Sequence, residues 1–253
     1  MQAPQLVGKL GRNDLKLIGR DSFLLFMFSF AVIIAVVLRF GLPWLDGQLT
    51  ENGVLPNATI AMTLPDIYPM IVAYMAIYTG ALLVGTVFGF VLLDEKDNNT
   101  IRAMLVTPVP LNQYVMYRVG GPVILAFVII LGMALFINQA LLPLWQMILI
   151  SAGGALTAPI VSLFFATVAE NKVQGFAYSK FGGISGWTIL IGWFVPEPWQ
   201  WLIGIFPPWW ISKAYWLALD GSHWWWVAFI IGVVLQIALI RWLIQRFNAV
   251  VYR

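Results

Sequence analysis

Residues 70–93 contain no charged side chain. The hydrocarbon core of a bilayer is about 30 Å thick, and about 20 apolar residues of helix cross it. This run alone steers the chain away from a water-soluble fold. Five more runs repeat the pattern: 22–38, extended by 40–45 past a single Arg39; 119–138; 141–169; 181–196, which is short; and 224–240. The run 141–169 is long enough to tilt, or to bend near Pro143 or Pro159. Hydrophobic residues make up 61% of the chain and charged residues 10%, where an average soluble domain is roughly 25% charged. Disorder is excluded as well, because disordered chains are poor in apolar residues. The expected fold is an all-α membrane protein with six transmembrane helices, forming one domain over 1–253.

Between the fifth and sixth runs lies an apolar segment, 199–219, interrupted by Pro207 and Pro208 and carrying Lys213. Proline removes a helix donor and clashes with the preceding turn. The segment reads as an outer re-entrant helical pair, two short arms dipping into the membrane from one side with the prolines as the turn. Trp199, Pro207, Pro208, Trp209 and Trp210 are its candidate gate residues. On this scheme one side carries Lys9, Arg12, Lys16, Arg20, Lys96, Arg102, Arg118, Lys172, Lys180, Arg241, Arg246 and Arg253; the other carries only Arg39 and Lys213. Lysine and arginine collect on the cytoplasmic side of membrane proteins. Both termini are therefore expected in the cytoplasm, and the chain in a multi-pass cell membrane. The net charge of +3 reflects this sidedness rather than nucleic-acid binding.

Residues 5–20 interleave Leu6, Leu10, Leu15, Leu17 and Ile18 with Lys9, Arg12, Lys16 and Arg20. That suits an amphipathic helix lying on the cytoplasmic face against anionic lipid. The plainer reading is a basic flank that orients the first span. No A-x-A site follows the apolar run, so a cleaved signal peptide is not expected. Trp44, Trp199, Trp201, Trp209, Trp210, Trp224, Trp225 and Trp226 gather at the expected outer ends, where amphipathic rings settle at headgroup level.

Motifs that carry chemistry are scarce. The chain has no cysteine, which removes disulfides, thiol nucleophiles and cysteine metal sites. One histidine, His223, leaves no histidine cluster; beside Asp220 it reads as a hydrated interfacial side chain. There is no G-x-x-x-x-G-K-[ST] phosphate loop, no G-x-S-x-G and no H-E-x-x-H. The runs nearly lack ionisable groups, which weakens an enzyme and an ion-driven carrier alike. Gly85 with Gly89, and Gly182 with Gly186, have the spacing that lets helices approach closely. Asn57-Ala58-Thr59 matches the glycosylation triplet, a pattern frequent by chance.

The loop 94–118 says most. It opens on Asp94-Glu95-Lys96-Asp97 and continues through Asn98, Asn99 and Thr100, any of which suits a helix cap. An amphipathic stretch, 101–106, follows, and Thr107-Pro108 stops it, since a residue before proline leaves helical geometry. Such a helix is a lever for a soluble partner; the alternative is a solvated tether.

In their order and spacing these features resemble the integral membrane subunit of ABC-2 type exporters. That family has six spans, an N-terminal surface helix and an acidic end of span two running into a GT…LL…TP pattern. The matching positions here are Glu95, Thr100, Met104-Leu105 and Thr107-Pro108, with Asn99 in place of the glycine and Met104 in place of the first leucine. Residues 13–21 are similar to the family's surface helix and 171–175 to its second cytoplasmic loop. The Asp94-Glu95-Lys96-Asp97 variant is most similar to the fluoroquinolone-export-type permeases.

The resemblance implies a transport subunit rather than an enzyme. Two such permeases, as homodimer or heterodimer, would work with two soluble ATPase subunits. ATP and Mg would bind the ATPase, and this chain would hold no cofactor. The coupling residues would be Glu95, Lys96, Asp97, Asn99, Thr100, Ile101, Arg102, Met104, Leu105, Thr107 and Pro108, with Asn171 and Lys172 as a second contact. Glu95 would either meet the ATPase or fasten the surface helix through Arg12 or Arg20. The cargo would be amphiphilic or hydrophobic (a drug, a lipid or a peptide-like molecule) and would leave the cytoplasm. Two other readings stay open on the residues themselves. One is a non-transporting anchor or regulatory subunit. The other is an intramembrane lipid-modifying enzyme, for which Gln146 and Gln236 would be the polar groups at depth.

Overall fold

The structure, a computed structural model, describes residues 11–12, 14, 16, 18–51, 63–98 and 111–251. Every regular element among them is helical. The described residues of 11–20 are helical and precede α1 (Ser22–Glu51), α2 (Pro65–Asp97), α3 (Leu111–Ile137), α4 (Leu144–Val168), α5 (Lys172–Phe194), α6 (Gln200–Ile203), α7 (Pro207–Leu219) and α8 (Trp225–Val251). Five of these, α1 to α4 and α8, are long and apolar enough to cross a membrane.

The fifth run differs from its expected form. It is part of a 23-residue helix that starts at Lys172, about 35 Å long, not a short span beginning at Phe181. The Asn171 side chain starts it by accepting the Gln174 N–H at 3.0 Å, an N-cap that satisfies an orphan donor. Serine, glycine and Lys180 dilute its apolar character, which hides the first turns from a hydropathy reading. Asp21 caps α1 in the same way, accepting from the N–H groups of Phe23 at 2.9 Å and Leu24 at 3.3 Å.

Two helices contain a π-helical turn, Val37–Gly41 in α1 and Ala73–Tyr78 in α2. α4 breaks at Leu156, three residues before Pro159, whose missing N–H leaves the Ala155 carbonyl without its helical donor. The segment 199–219 is indeed two helices, but the prolines are not the turn. Pro207 and Pro208 occupy the first turn of α7, where a missing N–H forfeits no bond. The turn between them lies at 204–206 instead, where the Trp210 indole N–H donates to the Gly204 carbonyl at 2.8 Å.

α2 is the central helix. In its most apolar stretch 89% of residues are buried, against 28% in α1 and in α8. Glycine permits its seam with α4: a Cβ on Gly85 would lie 2.6 Å from the Ala158 carbonyl oxygen, closer than real Cβ atoms come. Gly182 and Gly186 of α5 press in turn on Leu82 and Tyr78 of α2. Outward faces of α1 and α8 expose Val32, Phe40, Trp44, Val234 and Ile237, as an acyl-chain environment allows. Trp199, Trp201, Trp224 and Trp226 are also exposed, whereas Trp209 and Trp210 are packed in the core.

Candidate functional site

α2 and α3 are consecutive helices that flank residues 99–110, so the end of one and the start of the other meet at the same level. There Glu95 of α2 accepts from Tyr114 Oη at 2.6 Å and from Arg118 Nη2 of α3. Arg118 Nη1 donates at 2.8 Å to Asp14 Oδ2 of the N-terminal helix, and Tyr117 Oη donates to the same oxygen at 2.7 Å. Arg118 is 1% exposed, Asp14 3% and Glu95 4%. Its guanidinium carbon lies 5.5 Å and 5.4 Å from the ring centroids of Tyr114 and Tyr117, within cation–π range. A buried charge is tolerated only when it is paired and hydrogen-bonded. Here one cation serves two carboxylates and two phenols add a donor to each, while Asp14 Oδ1 and Arg118 Nε have no partner among the described residues.

A second set of charges surrounds this triad. Lys172 Nζ lies 2.7 Å from Asp94 Oδ1 and 3.8 Å from Asp21 Oδ2. Lys96 Nζ donates to the Ala169 and Ala166 carbonyls at 2.8 and 3.4 Å, covering the last turn of α4, where a cation also complements the helix dipole. Asp97 accepts the Lys172 N–H at 3.4 Å. Sequence reading separated these residues into two loops, and the fold joins them at one end of the bundle.

Of the coupling residues expected from the sequence, Glu95, Lys96, Asp97, Asn171 and Lys172 thus stand together. Asn99, Thr100, Ile101, Arg102, Met104, Leu105, Thr107 and Pro108 lie outside the described residues. Asn98 ends α2, its side-chain amide donating to the Asp94 carbonyl at 2.9 Å. Glu95 does reach the N-terminal helix, through Arg118 and Asp14 rather than Arg12 or Arg20. Asp14, Tyr114, Tyr117 and Arg118 are the residues the sequence reading missed. One signal existed: Tyr114 and Arg118 are four apart and share a helix face, at a depth matching Glu95 if the two helices turn back on each other.

At the other end, Lys213 Nζ ties α7 to the preceding segment, 2.8 Å from Glu197 Oε1 and 2.7 Å from Gln200 Oε1. Trp209 Nε1 is buried with no hydrogen-bond partner among the described residues. Between α4, α5, the start of α7 and α8 lies an apolar cavity of about 260 Å³. Phe164, Phe181, Phe206, Pro208 and Trp242 line it. At its edge the Tyr78 hydroxyl lies 2.7 Å from the Gly182 carbonyl and 2.6 Å from Ser185 Oγ. The lining is mostly apolar and aromatic, with the hydroxyls of Tyr78, Thr157 and Ser185 as its polar groups. Gln236, the polar group at depth, is fully buried and bonded to Thr157 at 3.0 Å and to the Gly153 carbonyl at 3.1 Å.

Comparison with known proteins converges on one family. Residues 14–244 match the family described as fluoroquinolones export permease protein Rv2686c-like. The chain is 30% identical, over 98% of its length and 96% of the relative's, to the fluoroquinolones export permease protein Rv2686c of Mycobacterium tuberculosis strain ATCC 25618 / H37Rv. It is equally similar to the protein MT2760 of the same description from strain CDC 1551 / Oshkosh. No solved structure matches. With a family match that runs from the N-terminal helix into α8, this chain belongs to the Rv2686c-like family of export permeases.

Proposed function

We propose that this permease is the membrane-spanning subunit of an ATP-driven exporter whose energy comes from separate, soluble ATPase subunits. The observation that carries this reading is the family match over residues 14–244. Two permease subunits and two ATPases would form the transporter, with ATP and Mg held by the ATPases. α5 would be the sixth span. Both termini and the triad end would face the cytoplasm, in line with the side on which the basic residues collect. α6 and α7 would then dip in from outside as a re-entrant pair, with Trp199 at the surface and Pro207, Pro208, Trp209 and Trp210 closing the exit path.

The ATPase would dock on 99–108 and on Asn171 and Lys172. ATP binding would favour one arrangement of the ATPases and so shift the permease between access states. The triad supports this route. Glu95 and Arg118 close the two ends of 99–110 and link them to the N-terminal helix, so a push on that segment moves α2, α3 and the surface helix as a unit. The cargo would be an amphiphilic aromatic drug of the kind named for the relatives. The aromatic cavity beside α7 suits such a molecule, since ligand sites are mostly apolar with a few placed polar groups.

The test is purification of tagged protein from native membranes, followed by uptake of a fluoroquinolone into inverted vesicles. A co-purifying soluble ATPase and ATP-dependent uptake are expected. Uptake that proceeds equally without ATP, or a pure permease with no ATPase, would overturn the proposal.

A further inference from the structure

The groove between α1 and α3, remote from the triad and the aromatic cavity, has the makings of a lipid site. Its volume is about 420 Å³, and Phe28, Val32, Val36, Val128, Gly132 and Phe136 are among its lining residues. It opens outward, with Val32, Val36, Val128 and Phe136 exposed. Gly132 leaves it open: a Cβ there would meet nothing within 4 Å. From Phe28 to Val36 the helix rises about 12 Å, and along that length every lining side chain is apolar, as an extended acyl chain requires.

A charge lies next to one end of the groove, just outside its lining. Arg39 follows Val36 by three residues, inside the π-helical turn Val37–Gly41, a feature frequent at functional sites. Its Nη1 donates to the Ile137 carbonyl at 3.2 Å, next to Phe136, while Phe40 meets the Phe136 ring edge-on at 6.5 Å. Arg39 is half-buried, and that bond is its only one among the described residues. A guanidinium has five N–H donors in a planar fork suited to phosphate. A cation held at a helix end beside an apolar slot pairs with an anion that carries an acyl chain.

We propose that this groove holds one acyl chain of an anionic phospholipid whose phosphate sits on Arg39. The test uses the full chain in nanodiscs containing equal phosphatidylglycerol and phosphatidylcholine, with retained lipid counted by native mass spectrometry. Wild type should retain phosphatidylglycerol over phosphatidylcholine by roughly five-fold, as one basic group facing one anionic lipid gives. Arg39→Gln should bring the ratio near one, and Arg39→Lys should keep part of the preference. Gly132→Leu, whose side chain enters open space, should lose both lipids without a change in melting temperature. An unchanged ratio in Arg39→Gln, or full lipid retention in Gly132→Leu, would overturn the proposal. So would displacement of the lipid by inorganic phosphate, which would mark a bare anion site. Loss of a dimer mass in Gly132→Leu with lipid retained would also overturn it, since the groove would then be a seam between copies. If Gly132→Leu fails to fold, the Arg39→Gln and Arg39→Lys pair decides alone.

Discussion

Replacing Arg118 by alanine removes the cation that pairs with two buried carboxylates. Asp14 and Glu95, 3% and 4% exposed, would keep one tyrosine hydroxyl each and lose their counter-charge. Truncating one partner of a buried ion pair destabilises by about 3–5 kcal/mol, whereas an exposed pair contributes about 0–1 kcal/mol. Arg118→Ala should therefore fall in the higher range, and Glu95→Ala near its lower edge, because Arg118 then retains Asp14. The double variant should be less destabilised than the two singles combined, with a coupling of about 0.5–3 kcal/mol. The exposed pair Lys213–Glu197 is an internal control: Glu197, 62% exposed in its side chain, should lose no more than about 1 kcal/mol on change to alanine. Unfolding by SDS in mixed micelles, followed by tryptophan fluorescence, measures all four. If Arg118→Ala unfolds within about 0.5 kcal/mol of wild type, as an unremarkable surface change does, or if the two singles simply add, the triad is not a coupled buried unit and the argument fails.

Glu95→Ala should leave membrane insertion intact while lowering ATP-dependent transport; transport equal to wild type would detach the triad from coupling. Serine at Ile101, Met104 and Leu105 together should weaken association with the ATPase in a pull-down, and unchanged binding would make 99–110 a plain tether. Because the chain has no cysteine, single cysteines report sidedness cleanly: Asn57→Cys and Ser222→Cys should react with an impermeant reagent from outside, Asn98→Cys and Gln174→Cys should not. Gly85→Ala should lower stability by about 1–3 kcal/mol through overpacking, since its Cβ would meet backbone at 2.6 Å; Gly183→Ala, with open space around it, should be neutral in the same unfolding assay.

α2 was legible in the sequence because a helix buried on all sides must be apolar all round, so 70–93 announces itself without any periodicity. α5 was less legible. It packs glycine against α2 and begins with polar residues, so only its second half looked like a span. The break within 199–219 was visible through its prolines, yet not its position, because proline both ends one helix and opens the next. Glu95 stood out as an acidic residue at a helix end, but its partner did not. Arg118 lies beyond residues 99–110, and its role depends on how α2 and α3 lie against each other, a tertiary relation that no local pattern encodes. Asp14 was hidden for a simpler reason: it sits among lysines and arginines that explained the segment by themselves.

The π-helical turn Ala73–Tyr78 of α2 has the character of a phase shifter. Each residue of an α-helix advances the azimuth by about 100°, and a turn bonded i to i+5 absorbs one extra residue. Everything after Thr79 is thus rotated relative to the helix that would run straight on from Tyr68. Near one end, the Pro69 carbonyl accepts from the Trp216 indole at 3.2 Å; at the other, Glu95 meets Tyr114 and Arg118. An unbroken 3.6-residue screw that kept the first alignment would carry the second off its azimuth. The inserted residue lets one rod keep two registrations, and it makes that turn the natural place for the two ends to be dialled against each other.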